Sequence, residues 1–205
     1  FDIKEAKEKE LIFENDQVDV SSLMYSKKRK VLTGVNYTVA KREMVFFDDW
    51  REGIQKKLEK QLSGYEVGIT SFSKDEKKAV VVTFSDKSRG TYYSYDVEKN
   101  KLTELAKVSP WINEDHMAEM RPVEYKSRDG LMINGYLTLP VGSNGRNLPV
   151  VVNPHGGPWA RDSWGFNSEI QFLANRGFAV FQMNFRGSTG YGREFWEISF
   201  KQWGK

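Results

Sequence analysis

Asn153-Pro154-His155-Gly156-Gly157-Pro158 is the segment of this sequence whose residue types and spacing could do chemistry. A short apolar run, Pro149 to Asn153, leads into it, so two glycines stand where a strand ends and a helix is about to begin. Only a residue without Cβ lets the backbone come within hydrogen-bond range of an oxyanion. Pro158 has no N–H to give, which leaves Gly156 and Gly157 as candidate donors. A tight strand-to-helix turn without any ligand would use the same residues. His155 is read as a residue that shapes this loop, and His116, in a charged connection, as a linker residue. With two histidines and no cysteine, the sequence excludes a thiolate nucleophile, a disulfide and a multi-histidine zinc site. No metal and no cofactor is expected.

A nucleophile is harder to find. Neither Gly142-Ser143-Asn144-Gly145 nor Gly187-Ser188-Thr189-Gly190 has the G-x-S-x-G spacing of a nucleophile elbow. The second run, continued through Tyr191 and Gly192, also lacks the P-loop lysine and the Rossmann spacing, which counts against a nucleotide cradle. In α/β-hydrolases the loop after the third strand supplies one N–H of the oxyanion hole, and lipases carry an HGGG-type sequence there. The triad of that fold runs Ser, then Asp or Glu, then His, so His155 comes too early in the chain to be its base.

The elements that must hold these loops follow from periodicity. Val18 to Met24, Lys30 to Val39 and Glu43 to Phe47 are β-rich and separated by charged turns, as an antiparallel meander requires. Trp50, Ile54, Leu58 and Leu62 recur at helical spacing behind Asp48 or Asp49 as N-cap, and Gly64 follows, which predicts a helix over 50–62. Val67 to Phe72, Ala79 to Phe84, Thr91 to Asp96 and Leu102 to Leu105 then match the strand count of one propeller blade, with a more irregular blade before it. A plain antiparallel sheet in an α+β domain is the alternative.

The strand rhythm breaks between Ser109 and Pro122, and the domain boundary is placed there, giving 1–120 and 121–205. Pro122 to Tyr125 and Ile133 to Leu139 flank Ser127-Arg128-Asp129-Gly130 as a hairpin. After a loop over Val141 to Leu148, the apolar strand Pro149 to Asn153, a helix over Ser168 to Arg176 and the strand Phe178 to Phe185 form a βαβ unit. Both strands are expected to be buried on both faces. A further helix is expected over Arg193 to Trp203.

Composition restricts the class. The 205 residues are 39 % hydrophobic with 17 glycines besides, inside the globular range once glycine is counted. Lys plus Arg number 31 and Asp plus Glu 28, a net charge of +3 with no basic stripe, so no nucleic-acid partner is expected. No apolar stretch approaches a membrane span, so no membrane partner is expected either. Phe1-Asp2-Ile3-Lys4-Glu5 has neither an initiator Met nor a signal-type apolar core, and the chain reads as cut from something longer. A cytoplasmic location is expected, with a periplasmic or secreted one left open.

Three linked motifs carry a resemblance. Arg128-Asp129-Gly130 with Gly135-Tyr136-Leu137 and Leu139-Pro140, then Asn153 to Pro158, then Asn184 to Gly192 resemble, in order and spacing, the opening of the catalytic domain in the prolyl oligopeptidase family of serine peptidases, in the branch with acylaminoacyl peptidases and dipeptidyl peptidases. The resemblance implies β-propeller blades over 1–120, followed by the N-terminal part of an α/β-hydrolase domain over 121–205. It implies a peptide substrate hydrolysed by a Ser-His-Asp triad. Gly157 takes the position whose N–H completes the oxyanion hole, with Gly156 beside it; His155 holds the place where other branches carry a tyrosine hydroxyl. Pro158, Arg186, Gly187, Ser188 and Tyr191 would line the same active-site cavity. None of the triad is present: its members would lie beyond Lys205, so the fragment should be inactive alone. Its expected partners are the missing C-terminal half of the hydrolase domain or further copies of itself in a homo-oligomer. An esterase or lipase, and a non-enzymatic propeller-type binding module, are the competing readings.

Overall fold

Charged turns with residues in left-handed backbone cut the first hundred residues into short strands. The computed structural model describes residues 3–202. Strands β1 (Val20–Ser26), β2 (Val31–Thr38) and β3 (Arg42–Phe46) form an antiparallel sheet in that order. At Gly34 a Cβ would stand 2.4 Å from the Val45 carbonyl oxygen, so only glycine lets β2 and β3 close there. Helix α1 (Asp49–Gln61) follows, capped by the Asp48 side chain, which accepts from the Arg51 N–H at 2.8 Å.

Strands β4 (Glu66–Phe72), β5 (Lys78–Phe84), β6 (Thr91–Asp96) and β7 (Lys101–Lys107) make a second sheet in simple meander order. Alternation aims Ala79, Val81 and Thr83 of β5 to one buried face. There Val81 and Tyr95 meet Ile54 and Leu58 of α1 in one apolar cluster. Burying a leucine such as Leu58 contributes about 1.5–3 kcal/mol, and α1 is held by this face more than by its own propensity. The two sheets are tied by Arg29, whose guanidinium donates to Asp48 at 2.5 and 3.1 Å and to Glu76 at 3.2 Å and lies over the Trp50 ring.

The third sheet is mixed. Strands β8 (Met120–Lys126), β9 (Met132–Thr138), β10 (Val150–Val152) and β11 (Ala179–Asn184) lie in the order β10-β11-β9-β8, with β10 and β11 parallel and the other pairs antiparallel. Helix α2 (Ser168–Asn175) makes the crossover between the parallel pair, capped by Asn167. Buried Gln171 on α2 donates from Nε2 to the carbonyls of Asp86 and Ala118 at 2.9 and 2.8 Å and so fastens this sheet to the end of the second one. Helix α3 (Gly192–Glu197) comes last.

Two expectations need correction. The run Pro149 to Asn153 was expected to be buried on both faces; β10 instead forms the edge of its sheet, with Val150 59 % and Val152 54 % exposed. An apolar β-branched run shows that a strand suits an interior, while the neighbours decide whether it has one. The helix expected over Arg193 to Trp203 is shorter: α3 stops at Glu197 and the chain continues in turns through Lys201, where φ is positive. No side chain caps its start; its Trp196 turns toward Trp159 and its Phe195 toward Tyr191. Trp203 and Lys205, like the opening Phe1-Asp2, lie outside the described residues.

Candidate functional site

Because β10 and β11 are parallel and adjacent, the loops that leave their carboxyl ends emerge on the same side of the sheet, where open α/β sheets place their ligands. The first loop holds His155 to Pro158, the second Phe185 to Tyr191. Gly157 has φ +139, and a Cβ on it would come within 2.8 Å of the Trp159 nitrogen, so the backbone there requires glycine on two counts. The Gly157–Pro158 peptide bond is cis. Gly156 and Gly157 are both exposed, and among the described residues neither N–H donates to a protein acceptor. These donors are therefore available to an outside acceptor.

His155 is locked between the loops. Its ring stacks on Phe185 with centroids 4.4 Å apart, Nδ1 lies 2.8 Å from the Gly156 carbonyl and Nε2 lies 2.9 Å from Ser188 Oγ. A carbonyl only accepts, so the Ser188 hydroxyl gives its single hydrogen to the Phe185 carbonyl, and its oxygen is left as the acceptor that faces Nε2. A serine and a histidine at this distance look like a nucleophile and its base. The surroundings exclude that role for Ser188. Its side chain is fully buried, its hydroxyl also lies 2.6 Å from the Phe185 carbonyl, and no substrate carbonyl could approach it.

The second loop is closely packed at two of its glycines, Gly187 against the turn after α3 and Gly190 against Arg161. A Cβ on Gly187 would meet Ser199 at 2.4 Å, and one on Gly190 would meet the Arg161 guanidinium at 2.8 Å. The Thr189 N–H donates to the Ala160 carbonyl at 3.0 Å. The other two predicted residues point elsewhere. Arg186 pairs with Asp129 of the β8–β9 turn at 2.8 Å and holds its carboxyl well below the usual aspartate range, while Ser127 hydrogen-bonds the same carboxylate. Tyr191 accepts from Asn184 Nδ2 at 2.7 Å and from Arg161 at 2.8 Å, and its burial pushes the phenol up.

Three residues outside the predicted set hold the arrangement together. Arg161 donates to the carbonyls of Thr38 and Val39 at 3.2 Å each, in the turn between β2 and β3, and stacks on the Tyr191 ring at 4.2 Å. Fully buried Asn184 accepts from the Asp162 N–H at 2.7 Å and donates to the Asp162 carbonyl at 3.0 Å. The Asp162 carboxyl is raised by burial, opposed by the nearby His155, and its Oδ2 has no partner. The charged pair Arg161-Asp162, which directly follows Gly157-Pro158-Trp159-Ala160, was the available signal for two of them. No group of three or more metal-type ligands occurs among the described residues.

Residues 164–205 match the prolyl oligopeptidase family. Over 200 residues the chain is 32 % identical to dipeptidyl aminopeptidase BIII of Pseudoxanthomonas mexicana, a match covering 94 % of this chain and 29 % of that protein. The chain belongs to the prolyl oligopeptidase family. Within the same family's folds, a prolyl endopeptidase structure superposes with a TM-score of 0.66 at 20 % identity, over 91 % of this chain and 27 % of that one. The acylaminoacyl peptidase of Pyrococcus horikoshii superposes with a TM-score of 0.59 at 20 % identity, over 92 % and 28 %. The likeness gives the architecture of this prolyl oligopeptidase family chain: β-propeller blades, antiparallel throughout, followed by the N-terminal part of an α/β-hydrolase domain. The chain spans less than a third of the length of these relatives.

Proposed function

We propose that the protein carrying this sequence is a serine-type peptidase acting on peptides, in which residues 1–120 are propeller and residues 121–205 supply the oxyanion side of the active site. The single observation that carries the reading is that exposed Gly157, in the loop that follows a parallel strand, has an N–H with no acceptor among the described residues. In a Ser-His-Asp mechanism the serine oxygen attacks the peptide carbonyl, histidine takes its proton and later gives it to the leaving amine, and backbone donors hold the oxyanion between these steps. Gly157 is such a donor, and His155 fixes the loop that presents it. The sequence holds no G-x-S-x-G, so the reading draws the triad from outside these 205 residues.

Assaying the intact protein with dipeptidyl and N-acylated peptide anilides beside a simple ester such as p-nitrophenyl butyrate tests this. Peptide hydrolysis that a fluorophosphonate abolishes is the expected result. Turnover of the ester with none of the peptides would replace the reading with an esterase, and no turnover of either would leave a binding module.

A further inference from the structure

Between β1 of the first sheet and β4 of the second lies a cleft of about 820 Å3, away from the His155 loop. Six side chains on its wall are cationic, Lys27, Lys28, Arg29, Arg42, Arg51 and Lys74, and one is a carboxylate, Glu76. The whole chain has an excess of only three positive charges, so this cleft concentrates cations that acids offset elsewhere. Glu76 is already engaged by Ser26 at 2.6 Å and by Arg29, and Arg29 is further engaged by Asp48.

The guanidiniums of Arg42 and Arg51 donate to no carboxylate among the described residues, although the Arg51 backbone N–H donates to Asp48. Arg51 is only 6 % exposed, yet its hydrogen-bond partners are the neutral Gln55 Oε1 at 3.2 Å and the Met24 sulfur at 3.8 Å, and it lies over the rings of Phe46 and Phe72. Arg42 donates to the Val67 carbonyl at 3.0 Å, and its buried Nε has no partner. Burial and the like charge of Arg42 push the Arg51 guanidinium down to about 10. Glu59, Glu66 and Asp48 lie near enough to favour the charges, but Glu59 accepts from Gln55, Glu66 pairs with Lys41 and Asp48 is taken by Arg29. Two guanidiniums taken from water without a hydrogen-bonded carboxylate are costly to keep, and an anion with two oxygens matches their planar donors.

We propose that this cleft binds a carboxylate, the acidic side chain of a peptide, held by Arg42 and Arg51 and attracted by Lys27, Lys28 and Lys74. The choice of a peptide rests on the peptidase reading above. Binding is measured without turnover, so failure of that reading and failure of this inference appear in different experiments. In the intact protein, calorimetric titration compares N-acetyl-Ala-Glu-Ala-amide with its glutamine counterpart and with inorganic phosphate. The glutamyl peptide is expected to bind about tenfold more tightly than the glutaminyl one, the scale of one hydrogen-bonded charge. That preference should vanish in Arg42→Gln. Because Arg42→Gln touches a packed interface, the paired change Lys27→Gln with Lys74→Gln at exposed positions provides a second measure, and it should weaken glutamyl binding and reduce its salt dependence. Equal affinity for the two peptides, glutamyl binding unchanged in both variants, or binding of phosphate without the glutamyl peptide would each overturn the proposal.

Discussion

At the scale of single residues, Gly157 combines a backbone conformation that L side chains rarely adopt with a donor that no group among the described residues uses. Gly157→Ala in the intact protein would put a Cβ against the Trp159 nitrogen and turn the N–H away. The expected cost is roughly 10²–10³ in kcat with little change in KM, the scale of one lost oxyanion donor. Steady-state kinetics on a peptide substrate check it, and a variant with wild-type kcat would remove Gly157 from the hole. His155 is different in kind, because both of its ring nitrogens face partners inside the loop pair. His155→Ala should leave fluorophosphonate labelling of the intact protein detectable while slowing turnover. Abolished labelling in a folded variant would make His155 the base.

At the scale of elements, Arg161 joins the loop after β10 to the turn after β2, and Asp48 joins α1 to the first sheet. Removing the Arg161 guanidinium takes the donor from two carbonyls and leaves the Tyr191 hydroxyl with Asn184 alone, so Arg161→Ala is expected to destabilise the intact protein by roughly 2–3 kcal/mol, the scale of hydrogen bonds to a charged group. Protease cutting within residues 38–42 should rise in parallel, and an unchanged cleavage rate there would count against the clamp. The Asp48 carboxyl is held below its ordinary value of 3.8 chiefly by its hydrogen bond from Arg29. A carboxylate whose value falls on folding adds stability above the unfolded value and loses it as pH drops through the folded one. The stability gap between wild type and Asp48→Asn should therefore be full at about pH 6 and close below about pH 4, as denaturant titrations across that range would read. A gap that persists undiminished at acid pH would mean that Asp48 acts through its shape alone.

At the scale of the whole molecule, the exposed edge strand β10 and the exposed Trp159, Phe172 and Phe200 leave apolar surface and unpaired backbone on the third sheet. Such an edge invites pairing with another chain. Residues 1–205 produced alone are expected to self-associate or to bind a dye such as ANS, read by light scattering and fluorescence. A monodisperse, dye-silent monomer that unfolds cooperatively would contradict this.

Much of this architecture was legible in local sequence, because the forces that write it are local. Helix spacing placed α1 within one residue at each end, alternation placed the strands of the second sheet, and the glycines before Pro158 marked a turn whose backbone requires glycine at position 157. What tertiary structure decided depends on partners far away in the chain. No pattern within Val150 to Val152 says whether a neighbour covers them, and none within Arg161 says that its donors end on Thr38 and Val39, 123 and 122 residues earlier. The same holds for Arg42 and Arg51: their charge was written in the sequence, but that neither guanidinium is hydrogen-bonded to a carboxylate among the described residues came from how two sheets and a helix pack, since burial and pairing are properties of the assembled chain.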